Sequence, residues 1–283
     1  MASTLGSHQA GLYVREDSGF DGLDGVSSTG LAISGDRRHL ARLLWSERDS
    51  DAPGEYVIYD TDGVTARRTV EELRQPHSAL WSGDSLIVVS TGTNAVLWLD
   101  AAGAVEHRWQ APGSGDCWHL NSLAWDGAQL LVSAFGRFEE RLGWVDRQAR
   151  EGTGFVFEIP SQRVSLEGIS SPHNPLRFGG GWLICESAHG LLLELDGQGR
   201  RLREVGFDGW TRGLAYDEEF IYVGVSAHRL RGEAGESAFV ATVSRESFDE
   251  VDRWTLPARE VYDLLVVPER LIRAVRRSTI DTL

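Results

Sequence analysis

The chain has 283 residues, 41% of them hydrophobic and 25% charged, which is enough apolar material for one full core. Its formal charge of −14 argues against nucleic acid as the main partner, because phosphate binding relies on basic surface. Two cysteines, Cys117 and Cys185, are too few for a disulfide framework, and no apolar run approaches the ~20 residues of a membrane span.

From the N-terminus, Met1 to His8 lacks the basic and apolar regions of a signal peptide, so the cytoplasm is the expected location. All 28 basic residues are arginine, which points to coding bias rather than to function. The first strand-like segment is Leu12-Tyr13-Val14-Arg15, and Gly30-Leu31-Ala32-Ile33-Ser34 is the next clear one. The clearest unit runs from His77 to Gln110. It reads as strands His77–Trp81, Ser85–Thr91, Ala95–Asp100 and Ala104–Gln110, separated by Gly-containing turns. Four short antiparallel strands of this kind make one propeller blade.

The unit recurs. Its second strand returns as Gln129–Ser133, Trp182–Ser187 and Phe220–Val225, and its third as Leu191–Asp196. Alignment of these segments puts Thr29, His77, Asn121, His173, Arg212 and Tyr262 at one equivalent position, at propeller-like intervals. The last copy is too short for four strands. The N-terminal strand would complete it, and Pro268 would open a C-terminal helix through Arg277. The expected fold is therefore all-β: a six-bladed β-propeller forming a single domain over residues 1–283, with blades starting near 29, 77, 119, 173, 212 and 262. A β-sandwich with coincidental repeats is the alternative. Arg270, Arg273, Arg276 and Arg277 read as a solvated face.

The innermost strand of each blade lines a propeller's channel, so the aligned residues would meet at one channel mouth. His119 lies two residues before Asn121, and period-2 geometry would put it on the same face. Three imidazoles would then gather there, and clustered imidazoles are the usual ligands of a catalytic metal. The expected metal set is His77, His119 and His173, holding a divalent zinc, manganese or iron ion; imidazole-rich ligation disfavours magnesium and calcium. Arg212 would bind an anionic substrate group, with Tyr262 or Asp263 in proton transfer and Asn121 orienting the ligand. Trp118 and Trp210 would wall the pocket, and Glu186 would neutralise Arg212, act as a base or form a structural ion pair. For the histidines the alternative is a hydrogen-bonded channel around ordered water. His189 and His228 fall near blade turns, and His8, His39 and His107 read as surface residues.

These motifs resemble an uncharacterised bacterial family of propeller-like proteins. Its members carry segments similar to Cys-His-Leu-Asn-Gly-Leu-Ala, Pro-His-Ser-Pro-Arg and Thr-Arg-Gly-Leu-Ala, in that order. Here the matches are Cys117–Ala124, Pro172–Leu176 and Thr211–Ala215, with Val223-Gly224-Val225-Ser226 and Arg229 resembling a fourth segment. This chain departs by inserting Trp118, by Ser122 for Gly, and by Asn174 and Leu176 in the proline motif. The resemblance implies that His119, Asn121, His173 and Arg212 belong to one motif set, and it transfers no activity. By analogy of layout with propeller enzymes that hold a central metal on histidines, the expected protein is a metal-dependent lyase or isomerase. It would act on a small carboxylate-bearing molecule, with metal-dependent hydrolysis or oxidation as variants. The competing expectation is a non-catalytic propeller that binds a ligand or partner protein.

Overall fold

The computed structural model describes residues 1–5, 10–17, 19–45, 51–146, 148, 150–227 and 237–278. Twenty-four described strands form six four-stranded antiparallel sheets, the blades of a β-propeller. In the blade that starts at His77 the strands are Pro76–Ser82, Ser85–Ser90, Ala95–Leu99 and Val105–Gln110, close to the bounds expected from sequence. Why each strand has its composition follows from its place in the ring. Ser85–Ser90 is almost uniformly apolar because both of its faces pack against neighbouring blades, whereas Val105–Gln110 lies at the rim and is mostly exposed. Tight turns set the register: Asp100 Oδ1 accepts the backbone N–H groups of Ala102 and Ala104, each at 2.8 Å, in an Asx turn completed by Gly103 at φ +88°.

The inner strands are Ser28–Ile33, Pro76–Ser82, Leu123–Asp126, Pro172–Phe178, Trp210–Tyr216 and Glu260–Leu264. The last blade is closed by N-terminal chain, as expected, but with three strands rather than one. Ala2–Leu5 pairs directly with Glu260–Leu264, followed outward by Gly11–Glu16 and Gly19–Gly22. The C-terminal helix spans Glu269–Arg277, with Pro268 at its start. Leu271 and Val275 enter the core that joins this blade to the next, beside Leu12, Val26 and Leu40. On its outer side Arg276 pairs with Asp21 and Glu16, and Arg273 with Glu269.

One buried ion pair secures the crossing from the closure blade to the Thr29 blade. Arg42 is fully buried and places Nη2 2.7 Å from Asp24 Oδ1 and 2.6 Å from the Val26 carbonyl, with Nε 2.6 Å from Ser28 Oγ. Removing one partner of such a pair leaves an uncompensated charge in low dielectric, which costs about 3–5 kcal/mol. Asp24→Ala should lower the unfolding free energy by that amount in a urea titration; a loss under about 1 kcal/mol would show that the pair is not buried in solution.

Candidate functional site

Five of the six inner strands carry an irregularity at the aligned position. Pairing with the neighbouring strand slips between Ser28 and Leu31, Pro76 and Ala79, His173 and Leu176, and Thr211 and Leu214, and between Ser3 and Thr4 opposite Tyr262. A bulge bends the strand and re-aims a side chain, so Thr29, His77 and Arg212 leave the blade core for the ring centre. On four of the inner strands, a backbone N–H is accepted by a side chain of the adjacent blade. Leu123 N donates to Ser78 Oγ (3.2 Å), Asn174 N to Ser122 Oγ (2.9 Å), Gly213 N to Asn174 Oδ1 (2.8 Å) and Leu31 N to Asp263 Oδ2 (2.9 Å).

His119 reaches the same centre by another route. It is not on a strand: the inner strand begins only at Leu123, and His119 has φ +51° in the preceding loop. Period-2 geometry is therefore not what turns its ring inward. Asn121 is, since its Nδ2 donates to the His119 carbonyl (3.1 Å) while its Oδ1 accepts Ser122 Oγ (2.9 Å) and Ser133 Oγ (2.7 Å). With its amide used in this way, Asn121 shapes the loop under His119.

The mouth brings four of the expected residues together. The rings of His77 and His119 meet edge to face with centroids 5.2 Å apart, and Tyr262 Oη lies 3.4 Å from His77 Nε2. Arg212 holds its guanidinium carbon 3.7 Å from the Tyr262 ring centroid. Its charge is matched by an ion pair with Glu260, and Nε donates to the Val261 carbonyl at 2.8 Å. The ring of Phe135 is 4.3 Å from His119 and 5.2 Å from His173 between centroids. Trp144 covers His119 at 3.9 Å, and Trp210 lies 6.2 Å from His173.

Each histidine is tied at Nδ1 to oxygen. For His77 the partners are the Gln75 carbonyl (3.0 Å) and Thr91 Oγ1 (2.9 Å); for His119 they are both Asp116 carboxylate oxygens (3.0 and 3.1 Å). For His173 they are Ser187 Oγ (2.7 Å) and the Ser171 carbonyl (3.3 Å). Carbonyls and carboxylates only accept, so the protons sit on Nδ1. Burial, and then the charge of Arg212, hold the His173 pKa well below the usual histidine value. That ring is neutral at physiological pH. Among the described residues, no group of three or more His, Cys, Asp or Glu side chains is placed to hold a metal ion.

Other expected residues are placed away from the imidazoles. Trp118 is buried in a blade core, its ring 5.6 Å from Phe155 and 5.9 Å from Phe157. Glu186 does not reach Arg212; it accepts the Ser170 N–H (2.9 Å) and pairs with Arg201 and His189, each at 3.4 Å. Asp263 spends its oxygens on the N–H groups of Leu31 and Leu264, both at 2.9 Å, and on Asn174 Nδ2 at 3.2 Å. Thr29 Oγ1 is buried and has no hydrogen-bond partner among the described residues, and His8, His228 and Arg229 lie outside them. Sequence reading missed Asp116, Phe135, Trp144 and Glu260, which come from loops or strand ends with no repeat to align. It also missed Thr91 and Ser187, although each stands 14 residues after its histidine.

A ring of six antiparallel blades with a polar, aromatic-walled mouth makes this a six-bladed β-propeller protein. Residues 72–269 match the family described as Domain of unknown function (DUF4915), and the chain belongs to that family. Solved structures support the fold alone. A protein of unknown function from Bacteroides caccae is 13% identical, with a TM-score of 0.50 over 77% of this chain and 72% of that one. A chain of a nidogen/laminin complex is 10% identical, with a TM-score of 0.59 over 83% of both. A calcium-binding protein, regucalcin, from Agrobacterium tumefaciens str. C58 is 12% identical, with a TM-score of 0.54 over 82% and 75%. No curated protein sequence matches the chain. Among the described residues no helix is long and apolar enough to cross a membrane.

Burial pushes the Asp263 carboxyl up to about 7. The folded state thus holds this proton more tightly than the unfolded chain, where the value is about 4. The resulting stabilisation is full below pH ~4 and lost as pH rises through about 7. Wild type should lose stability relative to Asp263→Asn across that window, followed by chemical unfolding at stepped pH. A constant difference between the two would mean that Asp263 titrates normally.

Proposed function

We propose that the protein is an enzyme of lyase or isomerase type that moves a proton on a small carboxylate-bearing molecule at the channel mouth. One observation carries the reading: Tyr262 is held between a guanidinium over its ring and the His77 imidazole at its hydroxyl, 3.4 Å away. With the His77 proton on Nδ1, Nε2 accepts from the phenol, so the pair can pass a proton to and from a ligand. Arg212 Nε and Nη2 are used by Val261 and Glu260, and among the described residues Nη1 makes no hydrogen bond, which leaves it to meet a substrate oxygen. Phe135, Trp144 and Trp210 would exclude water from the reacting centre.

A second reading, in which His77, His119 and His173 hold a zinc, manganese or iron ion, has support from the Nδ1 contacts. Metal-bound histidines characteristically donate their other N–H to an oxygen. Its difficulty is geometry: among the described residues no three such side chains are placed to hold an ion, so the set as arranged does not fit one.

The test is exchange of deuterium from D2O into a panel of small hydroxy- and keto-carboxylates, with metal analysis of the same purified protein. One panel member should exchange with wild type and at least about 100-fold more slowly with Tyr262→Phe or His77→Ala. Binding without exchange would make the propeller a ligand-binding protein and sink the enzymatic reading. Stoichiometric metal that is lost in both His77→Ala and His173→Ala would replace the metal-free reading with the second one.

A further inference from the structure

We propose that Thr91 and Ser187 are positioning residues that fix the tautomers of His77 and His173. Each follows its histidine by 14 residues, directly after the second strand of the same blade. Each opens a single 3-10 turn, Thr91–Thr93 or Ser187–His189, which ends on a left-handed residue, Asn94 or Gly190. The two hydroxyls are buried and make the same pair of contacts. Thr91 Oγ1 donates to the Leu120 carbonyl at 2.5 Å, and Ser187 Oγ donates to the Thr211 carbonyl at 2.5 Å. A hydroxyl has one proton, and here the next blade's carbonyl takes it. Toward Nδ1 the oxygen can then only accept, at 2.9 Å for Thr91 and 2.7 Å for Ser187, so the imidazole must donate.

The acceptor carbonyls are equally regular. Leu120 immediately precedes Asn121, and Thr211 immediately precedes Arg212, the aligned residues of the following blades. A third copy confirms the spacing: Ser226, 14 residues after Arg212, donates at 3.1 Å to the Val261 carbonyl, just before Tyr262. That carbonyl is also the one that receives Arg212 Nε. Each hydroxyl therefore ties the functional side chain of one blade to the backbone that places its neighbour. For His173 the remaining Nδ1 acceptor, the Ser171 carbonyl, is 3.3 Å away, so Ser187 is the main determinant. Among the described residues His173 Nε2 makes no hydrogen bond, and its lone pair is what the lock presents.

The use of this lock rests on the proton-transfer reading, but the lock itself can be measured without substrate. Long-range 1H–15N NMR of the full chain at pH 7 distinguishes a protonated from a bare imidazole nitrogen. Wild-type His173 should show a protonated Nδ1 and a bare Nε2. Ser187→Ala should lose that separation, its two nitrogens moving toward a common averaged shift, and Ser187→Thr should restore it. Thr91→Val and Thr91→Ser provide the same comparison at His77. A wild-type His173 protonated on Nε2, or a Ser187→Ala protein that keeps the wild-type pair of shifts, overturns the proposal. Tautomers that shift as expected in a protein that exchanges deuterium into no panel member would instead fault the enzymatic reading alone.

Discussion

The structure depends on how inner-strand backbone N–H groups are satisfied where one blade meets the next. An unpaired buried N–H costs about as much as a lost hydrogen bond. Ser78, Ser122, Asn174 and Asp263 supply the acceptors, each from the blade before the N–H it serves. Among the described residues, neighbouring blades share no ladder hydrogen bonds, since each is its own sheet. These side-chain bonds therefore fix one blade's inner strand against the next. Gly30 shows how close the approach is: a Cβ there would stand 2.8 Å from Ser78 Cα.

That constraint permits a polar mouth inside a β-rich core. Because the bulges are held from the side, the residues they expel can be chosen for chemistry rather than for packing. The Arg212 charge brought there is matched by Glu260, and the Asp116 carboxylate accepts from His119 Nδ1. The arrangement is enclosed by aromatic rings, conditions under which a hydrogen bond or a proton transfer is strengthened.

Much of this was legible in sequence because a propeller writes its geometry as a repeat. The six-bladed ring follows from aligning second and third strands, and its N-terminal closure from the strand-like Leu12–Arg15; the same alignment names His77, Arg212 and Tyr262, whose side chains lie in contact. The limits are equally physical. Period-2 reasoning placed His119 on a strand that does not start until Leu123; a left-handed turn braced by Asn121 produced the same outcome by other means. Glu186 left three roles open in sequence, and the structure gives it the ion pair: His189 lies three residues on in the turn after its strand, and Arg201 lies on the outermost strand of the same blade. Phe135 and Trp144 were invisible because the segment joining Gln129–Ala134 to Gly154–Ile159 is far longer than the single turns at the same place in the His77 and His173 blades.

The pairing of Ala2–Leu5 with Glu260–Leu264 has a consequence for synthesis on the ribosome. Blades built from contiguous chain can form in order as they emerge, since their contacts are local. The first three strands belong to a sheet whose innermost member, Glu260–Leu264, is made only after the strands of the other five blades. Until then they present an open edge next to the Thr29 blade, a surface on which another nascent chain could pair. Tyr262 arrives on that same late strand, so the mouth is completed only in the act that seals the ring.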